Sequence, residues 1–422
     1  MQNLKKVNNL ILLSLFISTT YTIAQNDSIQ KHRKDKAGYT IDLENGITSL
    51  ISFAVWEDDL ESATFLRFSK LDSITKPWFG FKRKLNEKTG LQISTSYSST
   101  NMYGQNGPDK LSEFSGSNIF KIYTRWKLIN RDEKNSGTLV VNTDYRHSYT
   151  PITPNNLGFE LGYNGMPALL FSDAKIMLLE LTWQQLLNKG RTGFIIGRYD
   201  PNDYLDVLGY VNPFTTFQNL SILVNASIGF ADSSTGIGFG HWINDQFAIS
   251  ATVNDANGIG TEVQFFEDFN ELYTSVEVSW SPSRSDRFLK NFHITYWHVD
   301  ERDKLDIEES QGIALGFNWT YNEVFMPFVK VGWSNGDASI YTQSYTAGFI
   351  LRPNLNKDLI GFGLNWGDTQ SGIGQLSTEL FYRFQISQNF AVTPSAQYYN
   401  NPALNTDLDN MFVFGLRGRI TL

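Results

Sequence analysis

The chain has 422 residues, a formal net charge of −8 and 18% charged residues. It therefore lacks the basic excess that nucleic-acid binding requires, and no nucleic-acid partner is expected. Cysteine is absent, which excludes disulfides, thiolate nucleophiles and cysteine-based metal sites. Aromatic residues make up 14% of the chain and glycine is abundant, a composition that favours an all-β fold in a membrane setting.

Residues 1–24 have the pattern of a secretory signal peptide. Lys5 and Lys6 precede an apolar run from Leu10 to Ile17, and Ala24 closes the small-residue end of the pattern. The run is shorter than the roughly 20 residues that a membrane-spanning helix needs. The pattern predicts export through the periplasm, with cleavage after Ala24.

Residues 25–75 are polar and show no strand pattern, so they are interpreted as a periplasmic N-terminal extension. Near 77–88 the spacing predicts a short amphipathic helix with Trp78, Phe81 and Leu85 on one face. Residues 76–422 are predicted to form the main domain.

From residue 90 onward, apolar and polar residues alternate with a period of two. In the final strand Phe412, Phe414 and Leu416 share one face, while Arg417 and Arg419 share the other. Polar, turn-rich stretches separate the units. The sixteen candidate strands are 90–103, 116–130, 136–149, 174–188, 190–200, 234–244, 246–255, 271–281, 288–299, 310–321, 324–335, 341–352, 357–368, 375–387, 389–399 and 410–422.

Two candidate strands do not follow the alternation. Arg198 shares parity with Phe194 and Ile196, and the two faces of 288–299 are both mixed. A bulge or a shifted strand boundary explains either case.

The alternation alone fits either a soluble sandwich or a membrane barrel, because both bury or cover one strand face. Three features favour the barrel. The opposite face carries single charges in mid-strand, the chain ends on a strand, and six tryptophans lie on the apolar face. These tryptophans are Trp126, Trp183, Trp280, Trp319, Trp333 and Trp366. The prediction is an all-β transmembrane antiparallel β-barrel of about 16 strands in the bacterial outer membrane, in contact with outer-membrane lipid.

A barrel of this size is wide enough for an aqueous channel, so the polar face gives the residues of the lumen. The mixture of basic, acidic and aromatic groups suits neutral polyhydroxylated solutes, whose hydroxyls bond to either charge. Pairing of these charges across the lumen, to make the wall rigid, is an equally open interpretation. The predicted pore-lining and substrate residues are Lys121, Tyr123, Arg125, Asp144, Arg146, Glu180, Arg198, Glu277, Lys330, Arg352, Glu379, Arg383, Arg417 and Arg419.

The sequence offers little for catalysis or metal binding. The five histidines are scattered, the glycine-rich stretches lack a phosphate-loop context, and no serine lies in a nucleophile elbow. An enzyme, a cofactor and a metal site are therefore not predicted.

Residues 201–233 interrupt the strand rhythm, and residues 151–172 form a second long excursion. Loops of this length inside a barrel are usually functional. The first is predicted to fold into or over the pore and constrict it.

The closing segment 377–422 resembles the last strands of the OprB-type carbohydrate-selective porins. The family's strand with the pattern Glu…Tyr-Arg, its "TP…Q…NP" strand and the "GLR" of its last strand have counterparts here. Weaker similarities lie in "KRKLNEKTGLQISTSYSS" and in "LTWQQLLNKGRTGFIIGRYDPND", where Arg198 and Asp200 occupy a family position. The residues that carry the closing resemblance are Glu379, Tyr382, Arg383, Thr393, Pro394, Gln397, Asn401, Pro402, Gly415, Leu416 and Arg417.

This resemblance implies a sixteen-strand porin that admits mono- or oligosaccharides by passive, selective diffusion. An anion-preferring (phosphate-type) or general diffusion porin is the alternative, because basic residues outnumber acidic ones on the inward face. A barrel enzyme or a structural surface barrel is the third hypothesis. A homotrimer is left open as the assembly.

Overall fold

The computed structural model describes residues 36–37, 47–61, 64, 66, 68–106, 111–229, 231–263, 270–302, 305–353 and 357–422. The predicted signal peptide lies outside them. Sixteen antiparallel strands each pair with their neighbours in sequence, and β1 pairs with β16 to close a barrel. The strands are β1 Leu91–Asn106, β2 Leu111–Ile129, β3 Gly137–Ser148, β4 Lys175–Leu187, β5 Thr192–Tyr199, β6 Ser234–Trp242, β7 Phe247–Asp255, β8 Leu272–Trp280, β9 Lys290–Val299, β10 Ser310–Trp319, β11 Phe325–Asn335, β12 Tyr341–Leu351, β13 Leu359–Thr369, β14 Gly374–Ser387, β15 Phe390–Asn400 and β16 Asn410–Thr421. The predicted fold class is confirmed.

The alternation separates an outer from an inner face, as the sequence predicts. Leu416 on β16 is 50% exposed, whereas its neighbour Arg417 is 1% exposed. Trp126, Trp333 and Trp366 are likewise exposed on the outside. On the predicted lipid-facing surface, an arginine turned outward at mid-membrane would cost about 2–4 kcal/mol, which favours this register of the strand.

The two irregular strands have different explanations. Gly197 has a φ of +133°, a conformation available to glycine, and beyond it both Arg198 and Tyr199 are buried. The alternation of β5 therefore breaks at Gly197. In β9 the alternation is regular, but Trp297 and His293 face inward, where the sequence pattern mixes large and polar residues.

The two ends of the barrel differ in their connections. At the end where β1 begins and β16 finishes, here called the terminal end, neighbouring strands are joined by short turns. At the opposite end the connections 149–174, 200–233 and 256–271 are long. Short turns at one end and long loops at the other are typical of outer-membrane barrels.

Among the described residues, four α-helices accompany the barrel: α1 Leu50–Asp59, α2 Ser69–Thr89, α3 Leu157–Leu161 and α4 Leu220–Leu223. Short 3-10 turns lie at Asn188–Gly190, Pro201–Asp203 and Arg284–Asp286. In the described residues, none of the helices has both the length and the apolar character for crossing a bilayer.

Helix α2 lies across the terminal end of the barrel. Asp72 Oδ1 accepts the Gln388 N–H at 2.9 Å beside the β14–β15 turn, and Gly90 O accepts the Lys127 N–H at 3.0 Å on β2. The predicted N-terminal helix is therefore present and starts before residue 77. Its buried residues are Phe79 and Lys82, whereas Phe81 is exposed.

Helix α1 lies inside the barrel. Ser49 and Ser52 form a reciprocal capping box that starts the helix, with Ser52 N donating to Ser49 Oγ at 3.1 Å and Ser49 N to Ser52 Oγ at 2.8 Å. The predicted division into 25–75 and 76–422 separates residues that pack together here, because α1 contacts the wall of the barrel. That division stays a prediction.

A buried apolar core occupies part of the interior. Phe53 of α1 packs against Tyr210 and Phe288 with ring centroids 6.0 and 5.7 Å apart. The main buried apolar cluster joins α1, residues 207–223 and the inner faces of several strands.

Candidate functional site: the barrel interior

Residues 200–233, here called the inner segment, leave β5 and fold into the lumen. Phe217 and Ile222 are completely buried among apolar side chains of the wall. Phe217 meets Phe328 and Phe381 edge to face, with centroids 5.8 and 5.0 Å away. The predicted constricting loop is therefore inside the barrel.

Glu379 on β14 holds the middle of the inner segment by its backbone. Its carboxylate accepts the Gln218 N–H at 3.0 Å and the Asn219 N–H at 2.9 Å. The Asn219 side chain in turn donates to Tyr399 OH at 3.0 Å. Charge-assisted hydrogen bonds to backbone N–H groups are strong, so this carboxylate is a structural anchor.

Arg417 on β16 holds the same segment from its carbonyl side. Nη1 donates to Pro213 O at 2.8 Å and Nη2 donates to Thr216 O at 2.7 Å. Arg417 and Glu379 together therefore satisfy donors and acceptors of a buried turn that lacks a sheet partner.

A third set of contacts, centred on Lys330, holds the two ends of the stretch 206–223. Lys330 Nζ donates to Leu223 O at 2.5 Å and lies 3.8 Å from Asp206 Oδ2. His293 Nε2 is 2.7 Å from Asp206 Oδ1, and Glu277 Oε2 accepts the Asp206 N–H at 2.8 Å. The sequence pattern did not single out His293 or Asp206, because their proximity depends on the inward fold of the loop.

Helix α1 is held by ion pairs to the wall. Glu57 pairs with Arg352 at 2.7 Å, and Asp58 pairs with Arg419 at 2.6 Å. Arg383 Nη2 lies 3.8 Å from Asp58 Oδ1. Burial alone would raise the pKa of Asp58, but Arg419 and Arg383 hold it below its ordinary value. Asp58 is therefore a charged carboxylate at neutral pH.

A further charged group lies on β2 and β3. Asp144 accepts from Lys121 at 2.5 Å and from Arg146 at 2.9 Å, and Lys121 Nζ is 5.0 Å from the centre of the Phe214 ring. Tyr123 is buried in an apolar cluster that includes Phe214. Strands β2 and β3 thus contact Phe214 of the inner segment through the Lys121 ammonium and the Tyr123 side chain.

The remaining predicted residues lie on β2, β4 and β5. Glu180 accepts from Tyr204 OH at 2.6 Å and from Thr182 Oγ1 at 2.7 Å. Arg198 donates to Leu178 O at 2.9 Å and to Ile259 O at 2.6 Å, which ties the 256–271 connection to the barrel. Arg125 is half-buried.

The structure thus places thirteen of the fourteen predicted pore-lining residues on the inner face, most of them buried and bonded, whereas Arg198 is buried on the parity of β5 that otherwise faces outward. They do not form one cluster. Instead they occupy separate positions around the wall, and several of them form hydrogen bonds or ion pairs with α1 or with the inner segment. Their role toward solutes stays a prediction.

The start of the inner segment carries crowded acidic groups. Burial and the neighbouring Asp232 carboxylate raise the pKa of Asp200 to about 7. Burial and Asp200 raise the pKa of Asp203 well above its ordinary value. Within the described ranges no group of three His, Asp or Glu side chains could hold a metal ion.

Open space remains between the start of the inner segment and the inner faces of β5–β9. This cavity has a volume of about 160 Å³. Gly240, Ser250 and Glu277 border it from three neighbouring strands.

Comparison with known proteins agrees with this fold. Residues 306–422 match the family model described as carbohydrate-selective porin, OprB family. A porin of Chlamydia pneumoniae, Porin AaxA, is 21% identical over 421 residues, covering 94% of this chain and 90% of that protein. The resemblance to OprB-type porins is confirmed.

Solved structures give the same architecture. The high-pH structure of Pseudomonas putida OprB matches with a TM-score of 0.67 and 15% identity, covering 86% of this chain and all of that one. The low-pH structure of the same protein matches with a TM-score of 0.50 and 14% identity, covering 83% and 98%. At these identities the likeness establishes a shared barrel fold.

Proposed function

We propose that the protein is an outer-membrane porin through which mono- or oligosaccharides diffuse passively. The observation that carries the proposal is a closed sixteen-strand barrel with a polar inner wall, whose closing strands match the carbohydrate-selective porin family over 306–422. The fold and the family match favour a channel over an enzyme.

The pairing of the inner charges supports a neutral solute. Arg352 and Arg419 face acidic groups of α1, and Lys121 and Arg146 share Asp144. An anion-selective pore instead needs basic groups that are free to meet the ion. The anion-preferring alternative is therefore less well supported than the basic excess of the sequence suggests.

The outer surface supports a membrane location. Exposed apolar residues continue around the barrel, with Tyr97, Trp126 and Phe414 among them. Aromatic residues at the margins of an apolar band suit the two membrane interfaces. Export by a cleaved signal at 1–24, contact with outer-membrane lipid and assembly as a homotrimer belong to the same proposal.

Reconstitution tests the function directly. Vesicles containing the folded protein are placed in isotonic D-glucose, maltotriose or raffinose, and the swelling rate is compared with that of protein-free vesicles. Faster swelling in a sugar is expected, together with a planar-bilayer current in KCl that the sugar reduces. A current with strong anion preference that no sugar affects would support the alternative. No current and no swelling would exclude a pore.

A further inference from the structure

We infer that the cavity beside the inner segment is a binding subsite for a single pyranose ring. The inference rests on the proposed function, and it assigns one stage of sugar passage to a named part of the wall. The cavity lies between residues 201–207 and the strands β5–β9.

The strand register explains why space remains here. Gly193 on β5 pairs with Gly240 on β6, Gly240 with Ser250 on β7, and Ser250 with Glu277 on β8. Three of the four residues in this inward row have a minimal side chain. A side-chain carbon at Gly240 would meet no atom closer than the Ile249 carbonyl oxygen at 4.0 Å. The wall is therefore hollow beside Gly240, whereas Ile47 fills the space beside Gly193.

The volume selects the size of the occupant. A cavity of about 150 Å³ is known to admit a benzene ring, and this one measures about 160 Å³. A pyranose carries hydroxyl groups that benzene lacks, so this volume holds at most one ring, and a longer sugar has to leave its other rings outside the cavity. The geometry points to a monosaccharide or to one residue of an oligosaccharide.

Aromatic side chains also border the cavity, next to the row of small residues formed by Gly193, Gly240 and Ser250. Trp242 follows Gly240 by two positions and faces the same side, and it is 6% exposed. Tyr199 and Tyr204 meet edge to face at 5.6 Å between centroids. The C–H faces of a pyranose pack on such rings, and mostly apolar walls with a few fixed polar groups are typical of small-molecule sites.

Polar groups border the same space. Tyr199 OH bonds to Thr252 Oγ1, and the Glu277 carboxylate accepts from Thr295 Oγ1 at 2.8 Å. Thr48 Oγ1 is a buried atom without a hydrogen-bond partner among the described residues, and Thr48 also lines the cavity. A sugar hydroxyl both donates and accepts, so it can satisfy this group.

The charges near the cavity are already engaged. Arg191 pairs with Asp245 at 2.6 Å, and the Arg287 guanidinium lies 4.5 Å from the centre of the Phe288 ring, which also lines the cavity. Glu277 is held by the Asp206 N–H and by Thr295. A neutral ring therefore suits this site better than an ion.

The test introduces larger side chains that fill the cavity from the wall strands β6 and β7. Gly240→Leu places an apolar side chain into the space, and Ser250→Leu does so from the neighbouring strand. Gly418→Leu is the matched control, because Gly418 lies on the outward parity of β16 and an added carbon there meets nothing within 4 Å. Heat-modifiable mobility establishes that each variant folds.

D-glucose block of the KCl current in planar bilayers, titrated to saturation, is the main readout. The half-saturating D-glucose concentration is expected to rise about tenfold or more in both cavity variants and to stay unchanged in Gly418→Leu. If all four proteins show the same saturable block, the subsite is overturned while the porin function stands. If the wild type shows no D-glucose swelling at all, the proposed function fails, and the subsite fails with it.

Discussion

Helix α1 and the inner segment both fill the lumen, but the wall holds them by different chemistry. The middle of the inner segment is held chiefly by its backbone: Glu379 accepts two of its N–H groups and Arg417 donates to two of its carbonyls. Helix α1 is held by its own side chains, through Glu57 and Asp58.

This difference indicates which of the two parts that fill the lumen, α1 or the inner segment, is held more firmly in place. The backbone anchors at 213–219 do not depend on the side chains of that stretch, whereas Asp206 at its start is held through its carboxylate. The ion pairs of α1 depend on each acidic residue and on its charge. We therefore expect the inner segment to be a permanent constriction and α1 to be the part that a single substitution releases.

The largest effect is expected from Glu379→Ala. The variant leaves the N–H groups of Gln218 and Asn219 without their acceptor, at a cost of about 1–3 kcal/mol for each buried donor. The urea midpoint should fall and the single-channel KCl conductance should rise. Glu379→Gln keeps one accepting oxygen and should lie between the two. Wild-type conductance in Glu379→Ala would show that other contacts hold the segment.

A substitution on the outward face tests assembly of the barrel separately from release of the segments that fill its lumen. Leu416→Arg places a charge on the exposed outer face of β16, at a cost of about 2–4 kcal/mol near mid-membrane. The yield of heat-modifiable barrel should fall, while molecules that do fold should keep wild-type conductance. Leu416→Phe is the control. Normal assembly of Leu416→Arg would contradict the outward assignment.

A smaller effect is expected from Asp58→Asn, which removes the charge opposite Arg419 and Arg383 but keeps the shape of the side chain. A hydrogen bond to a charged group contributes about 1.5–3 kcal/mol. The urea midpoint should fall and the conductance should rise as α1 loosens. A variant lacking residues 47–60 gives the upper limit of that rise. If the deletion leaves conductance unchanged, α1 does not obstruct the pore.

The outer face and the strand order could be predicted from the sequence, because the same alternation of apolar and polar residues recurs on nearly every strand. The sixteen strand positions follow from that rule, and the two exceptions depend on one glycine at Gly197 and on inward aromatics such as Trp297. The final strand shows the rule most clearly, since Arg417 and Arg419 are both inside.

The interior could be predicted only as a set of inward residues. The partners of Arg417 are backbone carbonyls, which carry no sequence signal. The partners of Arg352 and Arg419 lie in α1, about 300 positions earlier in the chain, in a stretch without strand pattern. The row of adjoining acids at Glu57, Asp58 and Asp59 was the available signal, and only a folded barrel gives it a place.

The smallest effect is expected from pH, and it again separates the two regions. The pKa of Asp58 is below its ordinary value, so its contribution is present above the unfolded pKa of about 3.9 and is lost only as the pH falls below that value. Asp200 behaves in the opposite way, because burial and Asp232 raise its pKa to about 7. The folded state then binds the Asp200 proton more tightly than the unfolded state does.

The Asp200 contribution is therefore present at low pH and is lost as the pH rises through about 7. Between pH 5 and 8 the urea midpoint of the wild type should decrease by this contribution, and the decrease should be smaller in Asp200→Asn. Asp58→Asn should keep the wild-type slope in that range, because Asp58 stays ionised throughout it. An equal slope in the wild type and Asp200→Asn would mean that Asp200 is ionised at neutral pH. The inner segment would then start with its negative charges exposed to the pore rather than held in protonated form.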